Sequence, residues 1–162
     1  MRRILFELII AYLVRQNGSI EMGRKAYDPE TGNVADIDIL LVRGKGHCVA
    51  YERKSKAPGG RVTLAEIEDW LRRLPTFRKH IRSQQNLSEA QIGFELWTSG
   101  EFEPDALRKL QTEKPRRTKA PIDWKDGQQV RDLARSLTEA RVTKAFDEHF
   151  FKHPVTAWSA SK

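Results

Sequence analysis

The sequence predicts an α/β domain built on one mixed β-sheet with helices on both faces. Three observations lead to this prediction. Apolar periodicity places helices and strands in the order α-β-β-β-α-β-α-β-α. A short turn at residues 44–46 joins two apolar strands into an antiparallel hairpin. With 162 residues, of which 39% are hydrophobic and 31% charged, the chain fits one globular domain with a sizeable core.

The first half of the chain begins with a helix and continues with three strands. Residues 3–16 follow a largely apolar helical pattern that ends at Asn17 and Gly18, a common left-handed helix terminator. Glu7 is the one charged residue in the apolar stretch, so we expect most of this helix to be buried. Strands are predicted at residues 19–27, 34–42 and 47–54.

The second half alternates helices and strands. The tetrapeptide TLAE at residues 63–66 is a capping box that begins a helix with one apolar face, and Pro75 should kink or split this helix. The later predicted elements are a strand at 92–98, a short helix at 103–110, an edge strand at 121–124 and one long closing helix at 128–150. We assign residues 1–150 to a single domain and residues 151–162 to a flexible tail.

Charge and cysteine content narrow the class of protein. The 29 Lys and Arg residues exceed the 22 Asp and Glu residues, which gives a formal net charge of +7. This excess favours a polyanionic partner, either nucleic acid or an acidic membrane surface. Cys48 is the single cysteine, which indicates a reducing, cytoplasmic location. The apolar start is interrupted by Glu7 and is too short to span a bilayer, so we expect no membrane partner.

Charged side chains interrupt the two hairpin strands where apolar residues are expected. Alternation puts Asp36 and Asp38 on the same face as Leu40 in one strand. It also puts Glu52 and Lys54 together at the far end of the next strand, so the charged ends converge at one edge of the sheet. Neighbouring carboxylates repel, and a divalent cation relieves that repulsion. The pattern therefore predicts a metal-dependent phosphodiesterase centre with Mg²⁺.

These residues also carry a family resemblance. Asp38, followed fourteen residues later by the sequence ERK (residues 52–54) at the end of an apolar strand, resembles the motif of the PD-(D/E)XK nuclease superfamily, with Ile-Asp in place of Pro-Asp. Residues 94–110 and 121–134 are similar to the end of Mrr-type restriction endonuclease domains. The resemblance covers about residues 1–137. It implies a restriction-endonuclease-like fold with an αβββαβ core, of the Mrr or Holliday-junction-resolvase kind.

The resemblance implies a Mg²⁺-dependent endonuclease that hydrolyses phosphodiester bonds in DNA, with Mn²⁺ as a substitute ion. Asp38 and Glu52 would bind the metal, together with the backbone carbonyl of Arg53. Lys54 would position the attacking water or stabilise the charge on the phosphate. Glu7 would bind the metal through water or complete the acidic cluster.

Two of these assignments keep an alternative. Asp36 is the fallback for Asp38 as a metal ligand. Glu7 is equally well interpreted as an ion-pair partner of a nearby arginine; the candidates are Arg2, Arg3 and Arg24.

Basic residues beyond the motif are the candidates for DNA contact. They are Lys56 and Arg61 around a Gly-rich loop, Arg72 and Arg73 on the next helix, and Arg116 and Arg117 in a basic loop. The alternative for each is a solvated surface charge or a connector. Two other functions compete with an active nuclease. One is an inactive nucleic-acid-binding or protein-interaction module of the same fold, and the other is an interaction protein, unrelated to nucleic acid, whose apolar first helix docks to a partner. A homodimer would suit paired cuts on two strands.

Overall fold

The computed structural model describes residues 2–28, 30–32, 34–44, 46–88, 91–137 and 140–151. Its helices are α1 (Arg2–Val14), α2 (Leu64–Gln85), α3 (Pro104–Glu113), α4 (Gly127–Ser136) and α5 (Ala140–Phe146). Its strands are β1 (Ser19–Tyr27), β2 (Val34–Arg43), β3 (His47–Lys54), β4 (Arg61–Val62), β5 (Ile92–Thr98), β6 (Glu101–Phe102) and β7 (Ile122–Lys125). Short 3₁₀ helices follow α1 and α3, and a π-helical turn, Asp147–Phe151, follows α5. Apart from Phe151, the predicted tail lies outside the described residues.

Five strands form one mixed sheet in the order β1-β2-β3-β5-β7. The first three are antiparallel neighbours, because short connections can join only antiparallel strands. β3, β5 and β7 are parallel, since helices carry the chain back between them. The predicted mixed sheet with helices on both faces is therefore confirmed. β4 and β6 form a separate two-stranded parallel pair that the sequence did not indicate.

Two hydrophobic clusters fill the space on either side of the sheet. One lies beneath α2 and α3 and contains Trp70 and Phe94. The other lies beneath α1, α4 and α5 and contains Phe6 and Trp97. These layers hold the sheet rigidly and leave its ends open, which is where polar side chains gather. In the described part of the chain, no helix is long and apolar enough to cross a bilayer.

The first helix is less buried than its composition predicts. Phe6, Ile10 and Leu13 are buried, but Ile4 is 65% exposed and Leu8 is 52% exposed. The reason is that α1 forms the outer layer of the domain, so only one side of it meets the sheet and the closing helices. The expectation that most of its circumference is buried is wrong for these two side chains.

Gly18 ends the first helical segment in a different way from the one predicted. Its φ of 161° is an extended conformation, not a left-handed one. A Cβ atom at Gly18 would lie 2.2 Å from the carbonyl oxygen of Val42. Glycine is therefore required here by close backbone approach to β2 and not by a left-handed turn.

Pro75, which was predicted to kink or split α2, does not split it: the helix continues to Gln85 with buried side chains on both sides of the proline. One prediction about helix continuity is wrong. The predicted closing helix at 128–150 is divided into α4, α5 and the π-helical turn. This division brings Phe146 and Phe150 against Phe6, with ring centroids 5.9 and 5.5 Å apart. Tertiary packing of aromatic rings thus overrides the local helical pattern.

Candidate active site

Asp38 lies on β2 where the regular alternation of side chains is interrupted. Ile37 and Leu40 pack into the same cluster beneath α2. Strict alternation would put these two residues on opposite faces. Gly23 of β1 lies opposite Asp38 of β2, between two regular pairs of residues in the ladder. Its φ is 66°, which is in the left-handed region. The prediction that Asp36 shares a face with Leu40 is therefore wrong, and Asp36 is exposed.

Arg53 connects Asp38 to the first helix. Its backbone N–H donates to Asp38 Oδ2 at 2.9 Å, and its Nη2 lies 3.6 Å from Asp38 Oδ1. Its Nε lies 3.2 Å from Glu7 Oε2, in an ion pair that is not aligned as a hydrogen bond. Glu7 therefore reaches the site through Arg53. Of the partners predicted for Glu7, Arg24 instead pairs with Glu21 at 2.8 Å, and the side chain of Arg2 lies outside the described part.

Glu52 is buried, with 7% of its side chain exposed, and contacts α2. Arg73 of α2 donates from Nη2 to Glu52 Oε2, and from Nε to Asp69 Oδ2 at 3.1 Å. Burial raises the pKa of Glu52 above its usual range, and the negative charge of Asp38 adds to this rise, while Arg73 opposes it. Asp38 and Glu52 line the same groove at the end of the sheet.

Lys54 ends β3 and shares a carboxylate with Lys56. Nζ of Lys54 lies 4.0 Å from Glu66 Oε2, and Nζ of Lys56 donates to the two Glu66 oxygens at 2.8 and 3.0 Å. Glu66 forms the capping box of α2 with Thr63, so the predicted box is confirmed. Burial raises the pKa of Glu66, but the hydrogen bonds from Lys56 and Thr63 outweigh burial and leave this pKa below its usual range. Glu66 is therefore an ionised anchor for both lysines.

The end of β5 holds the backbone of these two lysines. The Thr98 hydroxyl donates to the carbonyl oxygen of Lys54 at 2.8 Å. The Ser99 hydroxyl accepts from the N–H of Lys56 at 2.7 Å and donates to the carbonyl oxygen of Lys56 at 3.0 Å. Both hydroxyl side chains are buried. The sequence motifs did not point to Thr98, Ser99 or the ionic role of Glu66. The available signal was a pair of hydroxyl residues at the end of an apolar strand, Thr98 within it and Ser99 directly after it, because buried polar groups need partners.

These elements surround an open groove of about 320 Å³ at the end of the sheet, which we call the candidate groove. Its lining residues are Arg3, Val34, Ala35, Asp36, Asp38, Glu52, Arg53, Lys54 and Arg73. The predicted convergence of the charged strand ends is therefore observed. Glu7 and Lys56 lie beside the groove and are connected to it by ion pairs, through Arg53 and Glu66 respectively.

Three of the residues predicted to contact DNA differ in their relation to the candidate groove. Arg73 lines it. Arg72 is 72% exposed and lies 3.4 Å from Asp69. Arg61 is also exposed, with Nε 3.7 Å from Glu101 Oε2. Of these three arginines, Arg73 alone lines the groove, although no local sequence pattern distinguishes it from its neighbour Arg72.

Arg116 and Arg117 lie at the other end of the sheet. They precede β7, which starts beside the middle of β5, whereas Lys54 lies beside the last residue of β5. They line a second groove of about 480 Å³, here called the basic groove. Its lining residues are Arg78, Glu113, Arg116, Arg117, Thr118, Lys119 and Ala120. The predicted DNA-contacting arginines are thus divided between two separate surfaces.

The oxygen donors of the candidate groove suit a small, hard cation that keeps water ligands. Asp38 and Glu52 provide carboxylate oxygens, which Mg²⁺ prefers, and the groove lining contains no Cys or His. Across the described residues, no group of three or more His, Cys, Asp or Glu side chains is arranged to hold a metal ion. The metal ligands predicted from the sequence, including the carbonyl of Arg53 and a contribution from Glu7, stay predictions.

Comparison with known proteins bears on the fold. No protein-family model matches the chain, and no curated protein matches it in sequence. AF1548, a protein of unknown function, is similar in structure, with a TM-score of 0.58 and 15% identity. This match covers 83% of this chain and 66% of AF1548.

Two further solved structures match with lower TM-scores. A repair endonuclease from Pyrococcus abyssi has a TM-score of 0.42 and 14% identity over 74% of this chain and 45% of its own. EndoMS in complex with dsDNA has a TM-score of 0.39 and 17% identity over 73% of this chain and 43% of its own. The chain therefore spans less than half the length of these two proteins. The similarity to AF1548 supports the conclusion that this chain adopts the mixed α/β, restriction-endonuclease-like fold predicted from its sequence.

Proposed function

We propose that the chain is a metal-dependent endonuclease of the PD-(D/E)XK type that hydrolyses phosphodiester bonds in DNA. The main support is the candidate groove, where Asp38, Glu52 and Lys54 meet at one end of the sheet. The sequence motif implies this combination of two carboxylates and a lysine for hydrolysis of a phosphodiester. The net charge of +7 is favourable for a polyanionic substrate.

Each charged residue has its own role in this proposal. Asp38 and Glu52 would hold a Mg²⁺ or Mn²⁺ ion, together with the carbonyl oxygen of Arg53. When bound, the ion supplies charge neutralisation for the phosphate oxygens. Lys54 orients the attacking water and stabilises the negative charge that develops on the phosphate. The water oxygen bonds to phosphorus and loses a proton as the bond to the 3′ oxygen breaks and that oxygen gains a proton, which leaves a 5′-phosphate.

Surrounding residues keep these groups in place. The backbone N–H and guanidinium of Arg53 orient Asp38, and Glu7 holds Arg53 from α1. Glu66 lies near the ammonium group of Lys54, and the Thr98 hydroxyl binds its carbonyl oxygen. Because catalytic geometry tolerates only small displacements, these contacts support a preorganised site.

One observation favours a second candidate, a nucleic-acid-binding module without catalytic activity. Asp38 and Glu52 already have arginine partners, Arg53 and Arg73. Carboxylates that are neutralised in this way do not require a metal ion for stability. In this alternative, the chain binds DNA through its basic surfaces and does not cleave it.

Cleavage of a labelled substrate panel tests the proposal. The substrates are linear duplex DNA, single-stranded DNA, a four-way junction and structured RNA, each with Mg²⁺, Mn²⁺ or EDTA. We expect the wild type to cleave DNA only with a divalent ion. Lys54→Ala should reduce the rate by about 10²–10³-fold, because a donor to the developing phosphate charge is lost.

Lys109→Ala is the matched control, because Lys109 lies on α3 and pairs with Glu113 at 3.4 Å. It should cleave like the wild type. Salt-sensitive DNA binding without cleavage by any of the proteins would favour the binding module. If only RNA is cleaved, the proposed active site stands, and the substrate is RNA instead of DNA.

A further inference from the structure

Arg73 occupies a special position among the arginines of α2. It contacts two carboxylates at once, Glu52 through Nη2 and Asp69 through Nε. Its side chain is 27% exposed and lines the candidate groove, whereas that of Arg72 is 72% exposed. The guanidinium therefore lies inside the site, and it binds Glu52, one of the two carboxylates that the proposed function requires.

Charge explains why a cation is needed at this position. Glu52 is buried, and a buried carboxylate is costly to ionise without a positive partner. The negative charge of Asp38 increases this cost for Glu52, and it also acts favourably on Arg73. Arg73 thus provides the positive charge that a divalent ion would otherwise provide to the same pair of carboxylates.

We propose that Arg73 competes with the divalent ion for Glu52, so that metal binding displaces the guanidinium from this carboxylate. The inference rests on the proposed function and adds a control on metal loading. Two cations on one buried carboxylate repel each other strongly in a low-dielectric site. Asp69 is 53% exposed and already binds Arg73, so it gives the displaced side chain a second anion within reach.

Displacement also creates a link between metal and substrate. Once Arg73 leaves Glu52, its guanidinium still lies in the groove, where a phosphate offers two acceptor oxygens that match its geometry. Metal binding therefore favours phosphate binding at Arg73, and by reciprocity phosphate binding favours metal loading. Arg73 is a positioning residue for Glu52 in the free protein and contacts the substrate in the loaded one.

Mn²⁺ titration of the full chain, followed by electron paramagnetic resonance without DNA, tests this competition. The proteins are wild type, Arg73→Gln, Arg72→Gln and Glu52→Gln. We expect Arg73→Gln to bind Mn²⁺ about tenfold more tightly than the wild type, because the competing cation is gone. Arg72→Gln should bind like the wild type, since Arg72 shares the helix and the Asp69 contact but does not line the groove. Glu52→Gln should bind weakly.

Thermal melting gives a second readout. In EDTA, Arg73→Gln should melt below the wild type because Glu52 has lost its partner, and Mn²⁺ should raise its melting temperature more than that of the wild type. If Arg73→Gln does not fold in EDTA, the same titration with Arg73→Lys is decisive: the lysine lacks the forked contact to both carboxylates, so tighter Mn²⁺ binding is again expected.

The outcomes separate this inference from the proposed function. Equal Mn²⁺ affinity in the wild type and the Arg73 variants, or equal tightening in Arg72→Gln, overturns the competition and leaves the metal-dependent nuclease intact. Binding that appears only after Arg73 is replaced supports the competition. Absence of Mn²⁺ binding in every protein overturns both.

Discussion

The candidate groove and the basic groove lie at opposite ends of the same sheet but differ in how their charges are arranged. In the candidate groove, carboxylates and cations alternate, and Glu52 is almost fully enclosed. The lining of the basic groove contains four cationic side chains and one carboxylate, Glu113. Arg116 is 70% exposed, whereas Arg117 is 25% exposed and pairs with Glu113 at 3.3 Å.

This difference indicates what each surface can do. In the candidate groove, Glu52 pairs with Arg73 and burial raises the pKa of Glu52. A buried carboxylate with a perturbed pKa is typical of catalytic sites. Exposed cationic side chains are screened by salt, and they attract polyanions without requiring a precise geometry. We therefore expect substitutions in the candidate groove to change chemistry and stability. Substitutions in the basic groove should change only the affinity for polyanions.

The largest effect in this comparison is expected from the buried hydroxyl that holds β3. Thr98→Val removes a donor to the Lys54 carbonyl and an acceptor for the Gly100 N–H, so it should lower the free energy of unfolding by about 1–3 kcal/mol. Urea unfolding measures this change. Thr118→Val is the matched control in the basic groove, where the side chain is exposed, and it should have little effect. Equal losses in both variants would contradict the difference in rigidity between the grooves.

Glu66 and Glu52 should affect the pH dependence of stability in opposite directions. The pKa of Glu66 is lowered in the folded state, so its contribution is present above the unfolded value of 4.5 and is lost as pH falls through the folded value. The pKa of Glu52 is raised, so the folded state binds its proton more tightly and stability declines as pH rises from 4.5 through the folded value.

Melting temperatures of Glu66→Gln and Glu52→Gln between pH 4 and pH 8 test these opposite signs. At neutral pH, Glu66→Gln should melt about 2–4 °C below the wild type, and this gap should close in acid. Glu52→Gln lacks this titrating carboxyl group. Its melting temperature relative to that of the wild type should therefore not fall as pH rises from acid to neutral. If the melting temperatures of both variants differed from that of the wild type with the same sign and the same pH dependence, the opposite pKa shifts assigned to Glu66 and Glu52 would be contradicted.

The smallest effects are expected from the basic groove. Arg116→Ala and Arg117→Ala should each weaken DNA binding similarly for all sequences and lower the slope of log affinity against log salt by about 1. Fluorescence anisotropy at several salt concentrations measures this slope. The metal-dependent rate at saturating DNA should stay at the wild-type value. A fall in that rate would show that the basic groove takes part in catalysis, and the two surfaces would no longer differ in function.

Several features of the site followed from local sequence. The alternation of apolar residues predicted β2 and β3, and the short hairpin between these strands predicted that their charged ends converge. TLAE predicted the start of α2, because capping boxes use contacts within one turn. Local prediction failed where packing decided the outcome, in the closing helix.

The sequence by itself therefore determined the sheet, its hairpin and the residue types at its charged end, because these depend on periodicity and near neighbours. Only the tertiary structure decided which cationic side chain pairs with which carboxylate. Arg73 lies 21 residues from Glu52, and Ser99 lies 43 residues from the Lys56 backbone that it holds. Such pairs form when separate elements pack against one sheet, and no local pattern distinguishes Arg73, inside the groove, from the solvent-exposed Arg72 beside it.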